Sequence, residues 1–334
     1  MAVAGTTSLG SLIKPIVDPD LIPSVFQNAH FLRNFRSDPR GPHAGTTVKK
    51  NAIVSQNTGV AACAEAGSFE AVGAAGYQQG SFAFTTIYGT FGYYDEAKRA
   101  LGLGLSNSYH AEDTEAVDTL AAVRDLMETT MMADAATGLL GMVDDDSTAW
   151  GGVNRGTYTT LKSLVVAGGS AAVTEAMLNN AVLGLGSAPY GARPEVIMSE
   201  FIQMRSYSER IVASPALNQN LVGDTTYEKF SFANIPWIPI PDFVTSEIAF
   251  LSGVRDGSGI MVYDHNIWDV NVFNDGDVVD FMPVQLGPDC RATVGLIKVA
   301  KTAPSSTYAW SMSLALVVKR PMHQAKIEAL ATSW

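Results

Sequence analysis

Residues 148–164 read TAWGGVNRGTYTTLKSL. The stretch follows three aspartates, Asp144, Asp145 and Asp146, and combines a tryptophan, a glycine pair, an Asn-Arg step and four threonines. A glycine-rich loop with an arginine can cradle phosphate, because bare backbone N–H groups and a guanidinium both face an anion. That chemistry needs a strand before the loop, a helix after it and a fixed glycine spacing. No P-loop spacing occurs anywhere in the chain. GLGLSN (102–107) and GLGSAP (184–189) each begin G-x-G but lack the third glycine of a dinucleotide site. The stretch therefore reads as a joint. Gly151 and Gly152 permit a tight turn, Trp150 packs beneath it, and Arg155 pairs with a carboxylate.

Composition points the same way. Charged residues make up 16% of the 334, against roughly 25% in an average soluble domain. A chain with few charges and 47% hydrophobic residues is either a large globule or a subunit whose surface is covered by neighbours. The net charge of −11 and the scattered 22 Lys and Arg exclude a basic nucleic-acid footprint over the whole molecule. Cys63 and Cys290 make neither a disulfide framework nor a metal spacing and read as reduced thiols. The N-terminus lacks the pattern of a signal peptide. No apolar run approaches the roughly 20 residues that cross a bilayer. The chain reads as a soluble protein made in the cytoplasm, with no membrane partner.

Signatures of catalysis are weak throughout. The five histidines (30, 43, 110, 265, 323) have no ligand spacing, and no metal or cofactor is expected. Ser11 to Lys14 matches S-x-x-K without its companion motifs. Asp144–Asp146 reads as a solvated loop. Asn274–Asp280, NDGDVVD, fails the calcium-loop spacing and reads as a turn between strands. Lys49, Lys50 and Asn51 are the candidates for an isopeptide bond, which needs such side chains beside a buried carboxylate.

Periodicity orders the rest. Leu21, Val25, Phe26, Ala29, Leu32 and Phe35 give a helical stripe that Pro39 and Pro42 end, within an arm that has to dock on its own domain or a neighbour. Residues 46–60 and 80–94 read as strands of a long hairpin joined by a tip of Ala, Gly and small polar residues. Such a hairpin is exposed unless it lies on a partner. Residues 110–136 form the longest helix, with Val117, Leu120, Ala121, Val123, Leu126, Met127, Thr130 and Met131 mostly on one face and Gly138 as a stop. A second helix follows, capped at Ser170 or Thr174 and ended by Gly184 or Gly186. Next come a buried strand in RPEVIMS (193–199) and a helix in EFIQMRSYSERIVA (200–213). YEKFSFANIPWIPIPDF (227–243), carrying Trp237, suits an edge strand. Strand candidates fill the remainder, so the class is α+β.

This order of features resembles the major capsid proteins of tailed double-stranded DNA bacteriophages, with the HK-97-type capsid fold that encapsulin shells share. The local match is Gly151, Gly152, Val153, Asn154, Arg155, Gly156 and Thr157 after the long helix, where relatives continue with paired tryptophans and this chain has Thr159, Thr160 and Leu161. VTEAMLNNAV (173–182) before RPEVIMSE, and the ending with Lys319, Arg320, Pro321, Met322 and His323, are similar to further family segments.

The resemblance implies an N-terminal arm over 1–44 and an extended E-loop over 45–95. It implies a P-domain with its spine helix over 96–165, an A-domain over 166–257, and a return to the P-domain with the C-terminal strand over 258–334. It implies a non-enzymatic subunit that assembles as hexamers and pentamers into an icosahedral virion shell, enclosing double-stranded DNA without reading its sequence. Scaffolding, portal and cement proteins are the other partners it suggests. Trp150, Gly151, Gly152, Asn154, Arg155, Lys49, Lys50 and Trp237 are the candidate assembly-interface residues, with Arg155 reaching a carboxylate across a subunit boundary. An encapsulin-type compartment shell and a hydrolase remain as alternatives.

Overall fold

The computed structural model describes residues 31–41, 43, 45–57, 59–60, 73–94, 111–146, 149–187, 189–212, 230–265, 277–299 and 305–332. Cys63, the Ser11–Lys14 motif and most of the helix expected over 21–35 lie outside them. So does the turn at Asn274–Gly276. Of the arm, Phe31, Leu32 and Phe35 are described and buried, around one 3-10 turn at Leu32–Asn34.

The alternating segment near the N-terminus forms β1 (Thr47–Ser55), paired antiparallel with β2 (Gly76–Ala83). The expected second hairpin strand divides at Phe84. Its continuation, β3 (Thr85–Tyr94), leaves the hairpin and pairs along its whole length with β12 (Ser305–Val318). Side chains explain the switch. Phe91 stacks on Tyr308 and Trp310 at 5.7 and 6.2 Å, and Thr86 Oγ1 meets Ser313 Oγ at 2.8 Å. Such cross-strand pairs stabilise a sheet. The five-stranded sheet runs β10 (Asp277–Gln285), β11 (Arg291–Val299), β12, β3. β9 (Ile260–Asp264) pairs with the far end of β12.

Helix α1 spans Ala111–Met132 and packs on β3 and β12. It turns Val123, Met127 and Met131 into the core, but Val117 and Leu126 stand exposed, so the buried stripe is narrower than the periodicity implied. Helix α1 ends at Met132, ahead of Gly138. Gly138 instead begins the one-turn helix α2 (Leu139–Met142), all four of whose residues are buried.

A six-stranded mixed sheet follows the order β4 (Leu164–Ala167), β13 (Ala325–Glu328), β8 (Ile248–Leu251), β5 (Val196–Ser199), β7 (Ile235–Pro239), β6 (Ser231–Phe232). The Pro-punctuated β7 is not the edge. It lies between β5 and β6, and β6 takes the edge through a two-residue turn at Ala233 and Asn234. The last strand β13 joins this sheet, between β4 and β8, and not the sheet of β12. The C-terminal stretch is thus divided between the two sheets.

Helices α3 (Glu175–Gly186) and α4 (Phe201–Val212) belong to this six-stranded sheet, the small sheet because its strands are short, as against the large five-stranded sheet of longer strands. Leu178, Ala181, Leu185, Met204 and Tyr207 lie in one cluster with Ile197, Ile248 and Phe250. The N-cap of α3 is Thr174, whose Oγ1 accepts from the Met177 N–H at 3.3 Å; Ser170 sits in the preceding turn with φ 58°. Thr174→Ala should cost about 1 kcal/mol, measured as a shift in the urea midpoint with an unchanged slope.

Strands β5 and β8 are buried at every position. On one face Ile197, Ile248 and Phe250 enter the α3–α4 core. On the other, Val196, Met198, Ala249 and Leu251 enter the core of α1, α2 and the large sheet. A strand covered on both faces reads as a continuous hydrophobic run, which is why VIMS and IAFL show no alternation.

Candidate functional site

The joint at residues 150–157 turns out to be the dock of the β1–β2 hairpin. Trp150 and Val153 exchange both backbone hydrogen bonds, at 3.0 and 2.9 Å. Between them Gly151 and Gly152 have φ of 54° and 86°, the two positive values of a type I′ turn that glycine adopts without strain. The Gly151 carbonyl accepts from the Ser81 N–H at 2.8 Å, so the turn lies against β2. A Cβ on Gly151 would come within 2.7 Å of the Ser81 nitrogen and 2.8 Å of the Gly80 Cα.

Trp150 is fully buried. Its indole N–H donates to the carbonyl of Val318, at the end of β12, at 2.7 Å. Its ring meets Phe82 edge-on at 5.2 Å. Gly80 leaves room for it, since a Cβ there would fall 2.7 Å from the ring. Tyr158 adds a hydrogen bond, its hydroxyl accepting from Gln78 Nε2 at 2.9 Å. Asn154 is exposed and shapes the loop, its Oδ1 accepting from the Gly156 N–H at 2.7 Å.

Arg155 does not reach outward to a carboxylate. It is fully buried, and its guanidinium donates to main-chain carbonyls where α2 ends: Nη1 to Asp144 and Nη2 to Met142 at 2.6 Å. A cation at a helix C-terminus satisfies carbonyls that have no helical partner. Burial lowers its pKa to about 10, opposed by the charges of Asp144 and Asp145, so it stays protonated at neutral pH. In this single chain it has no exposed surface, and its described partners all lie within the chain.

Asp144 is likewise not solvated. It is buried beside Lys326 of β13, whose Nζ lies 3.3 Å from Glu328, 3.7 Å from Asp134 and 3.8 Å from Asp144. Glu247, just before β8, belongs to the same group. Burial pushes its pKa up to about 7, Lys326 pulling it down and Asp134, Glu328 and Asp144 pushing it further up. These residues join the corner after α1 and α2 to the small sheet. A carboxyl whose folded pKa is raised stabilises the fold fully below its ordinary value of 4.5 and loses that contribution as pH rises through about 7. Glu247→Gln should abolish this slope and leave the variant more stable than wild type at pH 8, by at most about 3 kcal/mol. Thermal melts between roughly pH 5 and pH 8 check it.

The remaining interface candidates separate. Lys49 is exposed on the outer face of β1. Lys50 points to the body, its Nζ 4.5 Å from the centre of the Tyr263 ring. Trp237 is fully buried in the second core, stacked on Tyr207 and donating to Ser199 Oγ at 2.8 Å. It packs inside that core, with no surface of its own exposed. Two residues that the sequence reading passed over stand out instead. Ile53 and Tyr77 face each other across the hairpin and are 62% and 65% exposed. Their signal is the alternation of NAIVS (51–55) against GYQQ (76–79), which places them on the outer face.

Among the described residues no group of three or more His, Cys, Asp or Glu side chains could hold a metal, and no helix is long and apolar enough to cross a membrane. Cys290 is a buried free thiol, its pKa raised to about 12 by burial. An open groove of about 460 Å³ is lined by Arg193, Pro194, Glu195, Asn234, Pro236 and Arg255, with no nucleophile beside a base.

No protein-family model matches the sequence, and no curated protein matches it. Solved structures do. The capsid of cyanophage A-1(L) is 14% identical and superposes with a TM-score of 0.68 over 99% of this chain and 100% of that one. The SrpI encapsulin of Synechococcus elongatus PCC 7942 is 11% identical, with a TM-score of 0.62 over 100% and 98%. The capsid of a native GTA particle is 13% identical, with a TM-score of 0.61 over 99% and 100%. The fold is the α+β fold of these shells, the HK-97-type capsid fold.

Proposed function

We propose that the chain is a structural shell subunit, the major capsid protein of a tailed double-stranded DNA bacteriophage. It assembles as hexamers and pentamers into an icosahedral head. The observation that carries the reading is the match to a phage capsid protein from end to end of both chains. In this reading residues 1–44 are the arm and 45–95 the E-loop, while α1 is the spine helix. The small sheet with α3 and α4 makes the A-domain. The exposed pair Ile53 and Tyr77 supports a hairpin that covers a neighbour, because an apolar cross-strand pair on an outer face gains most when water is excluded from it. The subunit needs no catalytic residues, and DNA is enclosed without sequence readout.

A second reading, an encapsulin-type compartment shell, is favoured by the full-length match to the SrpI encapsulin. Negative-stain microscopy of the purified protein tests what the two share: closed shells or capsomer rings are expected, and isolated globules overturn both. The neighbouring genes separate them. Portal and terminase genes mark a phage head, and a gene for a cargo enzyme marks a compartment.

A further inference from the structure

The residues that follow β13 are held by two turns, at 168–171 and at 244–247. Leaving the strand, the backbone bends at Ala329, a non-glycine residue with φ 53°. Left-handed backbone of this kind is imposed by its surroundings and not by the residue's own preference. Here the Ala329 carbonyl accepts from the Ser170 N–H at 2.6 Å. The next two residues are tied in turn. The Leu330 N–H donates to the Ser246 carbonyl at 2.9 Å, and the Ala331 N–H to the Ala171 carbonyl at 3.0 Å. Gln203 of α4 closes the arrangement, its Nε2 donating both to the Ala331 carbonyl, at 2.8 Å, and to the Thr245 carbonyl.

The second turn carries a buried acid. Glu247 follows Ser246 directly, and its N–H donates to the Val244 carbonyl at 3.1 Å. Its side chain is buried, and Oε2 has no hydrogen-bond partner among the described residues. The charges that face it are Asp134 after α1, Asp144 after α2, and Lys326 and Glu328 on β13. Arg155 stands behind Asp144, bonded to its main-chain carbonyl. Four carboxyl groups therefore share one ammonium, and that ammonium sits on the strand whose end is fastened. An ionised Glu247 is a buried charge, unpartnered at one oxygen and repelled by three carboxylates.

We infer that Glu247 is the pin of a pH-gated latch: with its proton the turn at 244–247 holds residues 329–332 down, and without it the turn yields and that segment lifts about Ala329 while the two sheets stay folded. This goes beyond the global slope ascribed to Glu247 above, because it places the opening in one segment, and it holds whether or not the chain builds a shell. Local opening selects the least packed element. Ala329 and Thr332 are exposed and only Leu330 enters the core, whereas β8, on the other side of Glu247, is buried at every position. The sign follows from linkage. The carboxyl titrates at about 7 in the closed state against 4.5 when solvated. Opening is least favoured below 4.5, grows as pH rises, and levels off above about 7.

Hydrogen exchange of the full chain, read by mass spectrometry and corrected for the intrinsic rate at each pH, tests the latch. Protection of residues 329–332 is expected to fall roughly tenfold or more between about pH 5 and pH 8, while β5 and β12 keep theirs. Glu247→Gln should remove the pH dependence and hold the segment at its low-pH protection. Glu328→Gln, at a side chain 40% exposed, takes away one repelling charge, so the loss should be smaller and level off at lower pH. Protection of 329–332 that does not change with pH, while melts keep their slope, overturns the latch and leaves the slope standing. An equal loss in β5 and β12 shows loosening of the whole fold and overturns it too. So does an undiminished pH dependence in Glu247→Gln.

Discussion

Trp150→Ala is expected to destabilise the fold by about 3–5 kcal/mol, the range for removing a fully buried tryptophan. Three losses combine. The ring leaves a cavity between Phe82 and the end of β12, the Val318 carbonyl loses its donor, and Gly80 faces empty space in place of the indole. The damage should be uneven. The indole ties the hairpin, through Phe82 and Gly80, to the end of β12, so the β1–β2 pair should loosen first. A melt gives the total, and limited proteolysis gives the order, with cleavage within 47–83 preceding cleavage in the body. Trp150→Phe should recover some of the packing but not the hydrogen bond. A variant that melts like wild type, with an equally protected hairpin, would show that Trp150 does not hold the dock.

Arg155→Ala is expected to cost about 3–5 kcal/mol as well, as for a broken buried polar network. The truncation strands the carbonyls of Met142 and Asp144 and removes one of the two cations, Arg155 and Lys326, beside the buried Asp144. Arg155→Met separates packing from polarity. It refills the volume, removes a desolvated cation whose Nε has no partner, and should cost clearly less than alanine. Arg155→Lys should resemble alanine more than methionine, because one ammonium on a flexible stem cannot span carbonyls that a planar fork reaches together. Urea titrations of the three variants give the ranking. Because Arg155 has no exposed surface, any change in assembly should follow the change in stability and not add to it.

The Gly-Gly turn was legible because positive φ demands residues of a particular kind, and a buried tryptophan beside it has to pack. What Arg155 meets was not legible. A guanidinium accepts a carboxylate or a row of carbonyls equally, and only the fold places α2 beside it. The same holds for Asp144: three consecutive acids look solvated until Lys326, far along the chain, closes over the first. The outlines of α1, α3, α4 and most strands followed from period and caps, since those signals are local. The division of one strand into β2 and β3 was not local. It depends on β12, more than two hundred residues later, offering Tyr308 and Trp310 to Phe91. The small sheet hid its two-sidedness for a related reason. A fully buried strand has no alternation to betray which side chains belong to which core. The burial of Trp237 was not legible because a Pro-punctuated segment suits an edge strand, whereas β6 takes the edge and leaves β7 inside the sheet.

The passage from β2 through Phe84 into β3 also has a mechanical meaning. The hairpin is not hinged to the body by a loop at that side but is drawn from the same extended length of backbone. Tension applied at its far end runs along β3 and meets ten consecutive residue pairs with β12 lying parallel to the pull. Strands loaded along their axis must slip all their bonds together, whereas strands pulled crosswise unzip bond by bond. A subunit tugged by its hairpin would therefore stretch the eight-pair β1–β2 ribbon or bend at Phe84 before its body sheet yielded.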